Sequence, residues 1–298
     1  MLQHLFPALA TFTAQKRTSE AQVKRIIAGE NDEWRSREHP TIFHEVLSSK
    51  LPPHEKSIER LADDAQMVVM AGTLTTAAAL ELIHFWLVSQ PDTLQKLKDE
   101  LSIAIPNPDD ASKTPLPTLE ALPYLTAVVK EGLRLSYGVS TRLQRIDPNN
   151  SIVFTDRDTG KCWNIPPGTP VASTSVLIHN DESIYPESKR FSPERWLAGR
   201  GPDLEKYLVS FCAGSRRCFG ESLAYAELYV ALAAIWRTWG SCSEHGTMMA
   251  WSQDDVGAMS LWETGKRDVE IESDQFVPVA QKGSKGIRVM VSHAFARQ

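Results

Sequence analysis

Apolar residues in the first third of the chain recur at the three- and four-residue spacing of a helix face, with few Gly or Pro residues between them. Three helices are therefore predicted, around residues 18–30, 56–90 and 93–104. The longest begins after the Pro52-Pro53 pair, ends before Pro91 and carries apolar side chains on several sides. We expect a helix with that distribution to run through a core.

The middle of the chain changes from helical spacing to short apolar runs. Helical spacing returns over residues 124–135, and the runs that follow are separated by Gly, Pro and Asp residues typical of tight turns. Short strands are predicted at 153–154, 162–165 and 171–173, then a helix over 218–239 and strands near 269–272 and 287–291. The predicted fold class is mainly α with a minor antiparallel β part.

Composition and charge narrow the function classes. Of the 298 residues, 42% are apolar and 23% charged, which is ordinary globular usage with material for a sizeable core. The net charge of −5, without a long basic stripe, argues against a nucleic-acid partner. The four cysteines lie far apart and form no CxxC pair, so reduced thiols in a cytosol-facing protein are expected. The HExxH, GxxxxGK(S/T) and GxSxG templates are absent, and a zinc site is disfavoured.

Two apolar segments bear on membrane association. The stretch 65–88 carries Gln66, Glu81 and His84, so a buried helix is expected there and not a membrane span. Residues 1–10 are hydrophobic but lack the length and flanking residues of an anchor or a cleavable signal. We therefore expect no membrane segment in this chain.

The segment with the strongest chemical signal is FCAGSRRCFG, residues 211–220. Cys218 stands at the entrance of the predicted helix, where unpaired backbone N–H groups and the charges of Arg216 and Arg217 favour a thiolate. Gly214 and Gly220 allow the backbone to approach a flat ligand or to adopt positive φ. A lone cysteine is more often a small buried hydrophobe. The complete spacing F-x-x-G-x-R-x-C-x-G argues against that alternative.

This segment resembles the haem-binding loop of the cytochrome P450 family. The resemblance implies haem b as the cofactor, with Cys218 as the axial thiolate that donates electron density to the iron. It also implies that Arg216 faces a haem propionate and that Phe211 packs beside the sulfur. Gly214 and Gly220 belong to the same cofactor-binding loop.

A second segment carries a paired acid and base. Glu131 and Arg134 are three residues apart, so they lie on one helical face, although such a pair is usually a solvated surface pair when it stands alone. Residues 193–196 read PERW, which is similar to a family segment whose arginine joins that pair. The resemblance implies a buried structural triad of Glu131, Arg134 and Arg195 behind the haem loop.

The third segment, AGTLTT at residues 71–76, lies inside the longest predicted helix. Small and hydroxylated residues there are commonly close-packing positions, but the segment resembles the family's oxygen-binding groove. The resemblance implies catalytic roles for Ala71, Gly72 and Thr75. The family usually has Asp or Glu where this chain has Leu74, so either Thr75 with ordered water supplies the proton or turnover is slow and leaky. A member that uses a ready-made peroxide would also tolerate Leu74.

Further contacts follow from the resemblance alone. Arg142 resembles the strand arginine that contacts a propionate, and Arg145 is an adjacent candidate. Residues 139–141 and 259–262 would line the substrate side.

The resemblance covers the C-terminal two-thirds of the cytochrome P450 fold, so we expect one N-terminally incomplete domain over residues 1–298. It implies a haem-thiolate monooxygenase that inserts one oxygen atom from O2 into an apolar small molecule, with electrons from NADPH through a flavoprotein reductase. The segments 206–231 and 165–176 resemble filamentous-fungal microsomal members, nearest to trichodiene-oxygenase-like enzymes, which implies a terpenoid or another secondary metabolite.

Two alternative functions stay open, and the resemblance also implies a cellular location. Leu74 leaves open a haem-thiolate isomerase or dehydratase that needs no reductase, and the short chain leaves open a truncated product without catalytic activity. Full-length relatives are expected at the cytosolic face of the endoplasmic reticulum membrane, to which the family is anchored. With no anchor expected here, this chain alone would be soluble and cytoplasmic.

Overall fold

A computed structural model of the chain describes residues 7–31, 33–36, 39–156, 158–197, 199 and 201–293. It divides into two compact units, Met1–Leu74 and Thr75–Gln298. The boundary falls inside the longest helix, and the single domain expected over residues 1–298 stays a prediction.

The helices occupy most of the described chain outside a few small sheets. The α-helices are α1 (Pro7–Ile27), α2 (Ile42–Ser48), α3 (Ile58–Ser89), α4 (Pro91–Ala104), α5 (Leu116–Glu120), α6 (Pro123–Ser136), α7 (Ser175–His179), α8 (Gly201–Glu205) and α9 (Glu221–Trp236). The strands are β1 (Leu143–Arg145), β2 (Ile152–Thr155), β3 (Cys162–Ile165), β4 (Val171–Ser173), β5 (Trp239–Cys242), β6 (Met248–Ala250), β7 (Gly257–Leu261), β8 (Ser273–Gln275), β9 (Val277–Val279) and β10 (Val289–His293). This arrangement confirms the predicted mainly α fold with a minor β part.

The first unit contains α1, α2 and the N-terminal half of α3. Lys16 of α1 forms an ion pair with Asp63 of α3 at 2.6 Å. The Gln66 side chain, which is buried, donates a hydrogen bond of 2.9 Å to the carbonyl of Phe12. These two contacts hold α1 against α3 within this unit.

The second unit is built around α4, α6, α9 and the C-terminal half of α3. Pro91 and Pro123 occupy first-turn positions of α4 and α6, where a missing N–H costs nothing. The fully buried side chains at their contacts are apolar, among them Ile83, Leu87, Leu97, Leu101, Leu125, Val128, Leu232 and Trp236. Burial of these side chains is the main stabilising contribution in this unit.

A buried ion pair joins α4 to the sheet that follows α9. The Lys98 ammonium donates to the carbonyls of Trp236 and Trp239 at 3.1 and 2.8 Å and lies 2.7 Å from the Asp255 carboxylate. Both charged side chains are nearly inaccessible, so burial lowers the pKa of Lys98 while Asp255 opposes that effect. The pair therefore fixes the end of α9 relative to α4.

Several sheets are the antiparallel hairpins expected from the turn residues. β1 pairs with β4, β2 with β3 and β8 with β9, all antiparallel. The four-stranded sheet has the order β10-β7-β5-β6, and its β5–β7 pair is parallel. The β part is therefore mainly antiparallel, as predicted, with one parallel pair among the described strands.

The strand predicted near 269–272 is β8, which begins later, at Ser273. Residues Lys266–Asp268 form a 3-10 turn, in which the N–H of Val269 bonds to the carbonyl of Lys266 at 3.0 Å. The Asp268 carboxylate accepts the N–H of Gly265 at 2.9 Å. The turn uses backbone groups that a strand would need, so pairing with β9 starts only where the N–H of Glu272 donates to the carbonyl of Val279 at 2.9 Å. The last strand begins two residues later than the predicted 287.

Helix boundaries and burial differ from the expectations in three places. α1 begins at Pro7, well before residue 18, and α9 begins at Glu221, so Cys218 precedes the helix. The long helix is confirmed as α3, but Met67, Val68 and Val69 are exposed in its N-terminal half. Leu61 and Ala62 in the same half are buried, so the expectation that the helix runs through a core is wrong only for the exposed face of that half.

By length and composition alone, α3 could cross a membrane, and no other helix in the described part of the chain passes that test. The expectation that this stretch falls short of a span is therefore not supported by its composition. The hydrophobic segment 1–10 was also considered for a membrane, and its residues 1–6 lie outside the described residues.

A buried carboxylate organises the region between α6 and the PERW turn, Pro193–Trp196. Both Glu131 and Arg134 are fully buried. The guanidinium of Arg134 reaches the two Glu131 oxygens at 2.9 and 2.8 Å, and Nε of Arg195 donates to Oε1 at 3.0 Å. The indole N–H of Trp196 donates to Oε2 at 3.0 Å, and the N–H of Ser192 donates to Oε1 at 2.9 Å. Five donors thus converge on one carboxylate.

Replacing Glu131 by Gln is expected to lower the free energy of unfolding by about 3–5 kcal/mol, because a buried guanidinium then loses its counter-charge. Urea denaturation of the purified chain measures this. The exposed Asp203, 4.0 Å from Lys206, provides the control. Asp203→Asn should change stability by less than about 1 kcal/mol. Equal effects of the two substitutions would contradict the assigned role of Glu131.

The glycine beside this carboxylate tests how tightly α6 packs on α3. A Cβ added at Gly132 would lie 2.1 Å from Cγ1 of Ile83, whose side chain is fully buried. Gly132→Ala should therefore destabilise by about 1–3 kcal/mol through overpacking. The matched control is Gly72 in α3, where a Cβ meets nothing within 4 Å. Gly72→Ala should stabilise by about 0.5–1 kcal/mol, and thermal unfolding that ranks the two variants in the opposite order would refute this packing.

Candidate functional site

The cysteine loop lies between α8 and α9 and is closed by its own backbone. The N–H of Cys218 donates to the carbonyl of Phe211 at 2.9 Å, and the N–H of Arg217 donates to that of Gly214 at 3.1 Å. Gly214 has φ +75°, a left-handed conformation that glycine adopts without strain. The spacing from Phe211 to Cys218 is therefore that of a defined turn, in which the two ends are hydrogen-bonded to each other.

The outer side of the loop presents a thiol, an aromatic ring and a cation. Cys218 and Arg216 are exposed, and Phe219 is 82% exposed. Arg217 forms a bidentate ion pair with Glu221, in which Nη2 lies 2.6 Å from Oε1. Arg216 makes no ion pair with the described residues. Of the two loop arginines, Arg216 is therefore the one whose charge is open to a ligand, whereas the favoured thiolate at Cys218 stays a prediction.

The inner side of the loop rests on aromatic side chains of α9. The ring of Phe211 lies 5.4 Å from that of Tyr225, which lies 6.3 Å from that of Tyr229. The Tyr229 hydroxyl is 2.9 Å from the Thr126 hydroxyl of α6. Burial is the main reason that the pKa of Tyr225 is raised. Phe211 thus anchors the loop to α9, and its backbone reaches Cys218 directly.

The segment before the loop is fastened to the end of α6. The Ser210 hydroxyl donates to the carbonyl of Leu133 at 2.7 Å. Gly138 has φ +63°, and a Cβ there would lie 2.4 Å from the carbonyl oxygen of Ser210. Only glycine allows this approach of two backbones. The loop therefore takes its position from the same helix that carries Glu131 and Arg134.

The two propionate candidates occupy different places. Arg142 is exposed and immediately precedes β1, whereas Arg145 is the last residue of β1. Burial raises the pKa of the Cys212 thiol, and the Arg145 charge opposes this increase. Cys212 belongs to the cysteine loop, so Arg145 has an electrostatic contact with that loop.

The predicted oxygen segment lies in the middle of α3, at the boundary of the two units. Ala71, Gly72 and Leu74 are in the first unit, and Thr75 is in the second. Leu74 is 60% exposed, and the helix is continuous through the segment. A Cβ added at Gly72 would meet nothing within 4 Å, so open space surrounds this residue. Catalytic roles for Ala71, Gly72 and Thr75 stay predictions.

The residues expected on the substrate side have structural contacts of their own. Ser140 is buried and donates to the Asp274 carboxylate at 2.8 Å, while the Val139 carbonyl accepts the Ser175 hydroxyl at 3.1 Å. Trp262, 49% exposed, lies under the Arg288 guanidinium at 4.7 Å. Their substrate contacts stay predictions.

One side chain that connects these parts was not predicted from the sequence. His179, at the end of α7, is fully buried, and its Nδ1 lies 2.8 Å from the carbonyl of Arg134. Its Nε2 accepts the N–H of Val209 at 3.0 Å. No local pattern marks this residue, because its partners are 45 and 30 positions away.

The donors at the loop fit a haem group. A thiolate is a soft ligand for iron, and guanidinium groups pair with carboxylates such as propionates. At both Gly214 and Gly220 an added Cβ would meet nothing within 4 Å, so the loop has room for a flat macrocycle beside it. The described residues include no cluster of three or more His, Cys, Asp or Glu side chains for another kind of metal site.

Comparison with known proteins gives the family directly. A family model described as Cytochrome P450 matches residues 5–251. The cytochrome P450 monooxygenase tpcC of Cochliobolus heterostrophus is 45% identical over 292 residues, which cover 98% of this chain and 54% of the relative. The N-acetyltryptophan 6-hydroxylase ivoC of Emericella nidulans is 35% identical over 295 residues, which cover 98% of this chain and 52% of the relative. The fusicoccadiene C-8 hydroxylase of Alternaria brassicicola is 36% identical over 252 residues, which cover 85% of this chain and 44% of the relative.

The chain spans about half the length of these curated relatives. These relatives are named as monooxygenases and hydroxylases and come from fungi, and the family implies haem and iron binding. The resemblance found in the cysteine loop, the triad and the oxygen segment is thereby confirmed at the level of the family. With its family match over most of its length, the chain belongs to the cytochrome P450 family.

Proposed function

We propose that this chain is the haem-thiolate part of a fungal monooxygenase and that Cys218 is the axial ligand of haem b. The observation that carries the proposal is the closed, exposed loop in which Cys218 pairs with the backbone of Phe211. When bound, the haem supplies the activation of O2 that amino-acid side chains do not provide.

The chain's own residues would bind and orient that group. Arg216 would pair with a propionate, because its charge is not compensated by a neighbouring carboxylate as that of Arg217 is. Arg142, or the adjacent Arg145, would hold a second propionate. Gly214 and Gly220 would let the backbone approach the ring.

The oxygen side of the proposal rests on α3. Ala71 and Gly72 would leave space for a small ligand, and the Thr75 hydroxyl would hold a water that donates a proton. Leu74 carries no exchangeable proton, so proton supply would limit turnover.

The substrate, partner and location are proposals of the same kind. We propose an apolar small molecule, a terpenoid or another secondary metabolite, and the relative named for fusicoccadiene supports the apolar class. Electrons would come from NADPH through a flavoprotein reductase. The working protein would sit at the cytosolic face of the endoplasmic reticulum membrane.

A second candidate function is favoured by Leu74 alone. A haem-thiolate isomerase or dehydratase consumes a ready-made peroxide and needs neither a reductase nor a proton donor beside Thr75. Conversion of an organic hydroperoxide without NADPH would support it. A product without catalytic activity is the third reading, and finding an upstream in-frame exon in the transcript would remove it.

The ligand assignment predicts a spectroscopic loss. With haem supplied, the reduced chain under carbon monoxide should show the red-shifted Soret band of a thiolate-ligated iron, and Cys218→Ala should abolish it. Cys212→Ala, in the same loop, is the matched control and should keep the band. Haem binding without that band, or loss of the band only in the Cys212 variant, would contradict the assignment of Cys218.

The proton-supply step predicts a gain of function. The test uses the protein encoded by the transcript once that transcript has been mapped. Leu74→Glu should there lower the amount of hydrogen peroxide released per NADPH oxidised by about tenfold. The reason is that general acids typically accelerate proton transfer by at least that much. Leu74 is 60% exposed, so the substitution should not disturb the core. Leu74→Gln is the uncharged control. Unchanged peroxide release in both variants would favour the reductase-independent reading.

A further inference from the structure

Beyond the ligand itself, we infer that His179 is a positioning residue that holds the cysteine loop in register through its unprotonated Nε2. The inference rests on the proposed function only in that the loop is taken to carry the ligand Cys218. The contacts of His179 exist independently of that role.

The two hydrogen bonds of the imidazole determine its protonation state. The carbonyl of Arg134 can only accept, so Nδ1 must carry the proton of the 2.8 Å contact. The N–H of Val209 can only donate, so Nε2 must be unprotonated in the 3.0 Å contact. Both bonds can form together only with a neutral ring protonated at Nδ1.

The surroundings keep the ring neutral and fixed. Burial, the largest cause, lowers the pKa of His179 to about 4, and the Arg134 charge acts in the same direction. The Glu131 charge and the backbone groups of Arg134 and Tyr207, all of which favour a charged ring, oppose this shift without reversing it. The rings of Tyr137 and Tyr185 lie 6.2 Å away on two sides.

His179 is also held by its own backbone. Its carbonyl accepts Nη1 of Arg134 at 2.8 Å, and the same nitrogen donates to the carbonyl of Ser188 at 2.6 Å. The buried triad therefore fixes the position of residue 179, and the ring transmits that position to Val209. A displacement of Arg134 would move both the carbonyl and the ring of His179.

From Val209 the connection continues into the loop. The carbonyl of Val209 accepts the N–H of Cys212 at 2.9 Å, and the carbonyl of Phe211 accepts the N–H of Cys218 at 2.9 Å. Cys212 has φ 61°, which a non-glycine residue adopts only when its surroundings hold it. The peptide that includes Val209 thus anchors one end of the turn that presents Cys218.

The test replaces one ring nitrogen at a time in the 298-residue chain. His179→Asn keeps a donor near Nδ1 but no acceptor near Nε2, whereas His179→Gln can place an oxygen near Nε2. Hydrogen exchange at the Val209 amide should accelerate by about tenfold or more in His179→Asn and stay within about threefold of wild type in His179→Gln. Equal acceleration in the two variants would overturn the inference.

A matched control separates this role from general destabilisation. His84 is also largely buried with a lowered pKa, and its Nδ1 lies 2.7 Å from the carbonyl of Leu80, but it contacts the ring of Trp236 and not the loop. His84→Asn should leave Val209 exchange unchanged relative to a core amide such as that of Leu232. Faster Val209 exchange in this control would reduce His179 to an ordinary core residue.

The pH dependence of exchange at two amides of the wild-type chain provides a second test, with His179→Gln as its control. Because the ring is neutral when folded and has an ordinary pKa of about 6.5 when unfolded, its contribution is complete above pH 6.5 and is lost as the pH falls towards 4. The protection factor of Val209 should fall over that range in wild type more than that of Leu232. It should stay level in His179→Gln, which cannot titrate, and a parallel fall there would contradict the inference.

Haem binding links the His179 contact to function. It also distinguishes a failure of the Cys218 assignment from a failure of the His179 inference. In a Soret titration, His179→Asn should raise the haem dissociation constant by about tenfold, with His179→Gln close to wild type. Wild type that binds no haem would overturn the assignment of Cys218 while leaving the exchange results intact. Altered Val209 exchange with unchanged haem affinity would show that the contact does not position the ligand.

Discussion

The second unit depends on one buried carboxylate. Glu131 receives hydrogen bonds from Arg134, Arg195, Trp196 and the backbone of Ser192, and its own side chain is inaccessible to solvent. A guanidinium buried without such a partner would cost several kcal/mol, so the four groups can be buried only together. Because Arg134 also binds the carbonyls of His179, Ser188 and Arg190, the same charge pair organises a long irregular segment that has few regular backbone hydrogen bonds.

That organisation explains how a reactive loop can be exposed and still well defined. The carbonyl of Leu133 holds Ser210, the ring of His179 holds Val209, and Phe211 rests on Tyr225 of α9. Each of these contacts is on the inner side of the loop, whereas Arg216, Cys218 and Phe219 lie on the outer side. A rigid support beneath and a free outer surface are what a ligand of fixed geometry requires.

Within the cytochrome P450 family, this chain combines a loop proposed to supply a thiolate ligand with a segment of α3 that departs at Leu74 from the acid expected in the oxygen groove. Leu74 contributes neither a charge nor a proton, and it lies beside Thr75 in a continuous helix. The chemistry of the loop and the chemistry of the helix are therefore separable. The first concerns whether iron is held by sulfur, and the second concerns whether oxygen is protonated or a peroxide is used instead.

The sequence by itself determined the elements whose causes are local. Helix periodicity and the positions of Pro91 and Pro123 predicted α3, α4 and α6, and a spacing of three placed Glu131 beside Arg134. The ten residues ending at Gly220 indicated the haem loop through residue types that are rare in combination. Only the tertiary structure decided the contacts between distant positions, such as the parallel β5–β7 pair, the turn that Asp268 closes, and the bridge from Arg134 through His179 to Val209. Spacing along a chain reports which residues share a face, but a hydrogen bond across 30 or 45 residues leaves no periodic trace, because it depends on where two separate elements meet.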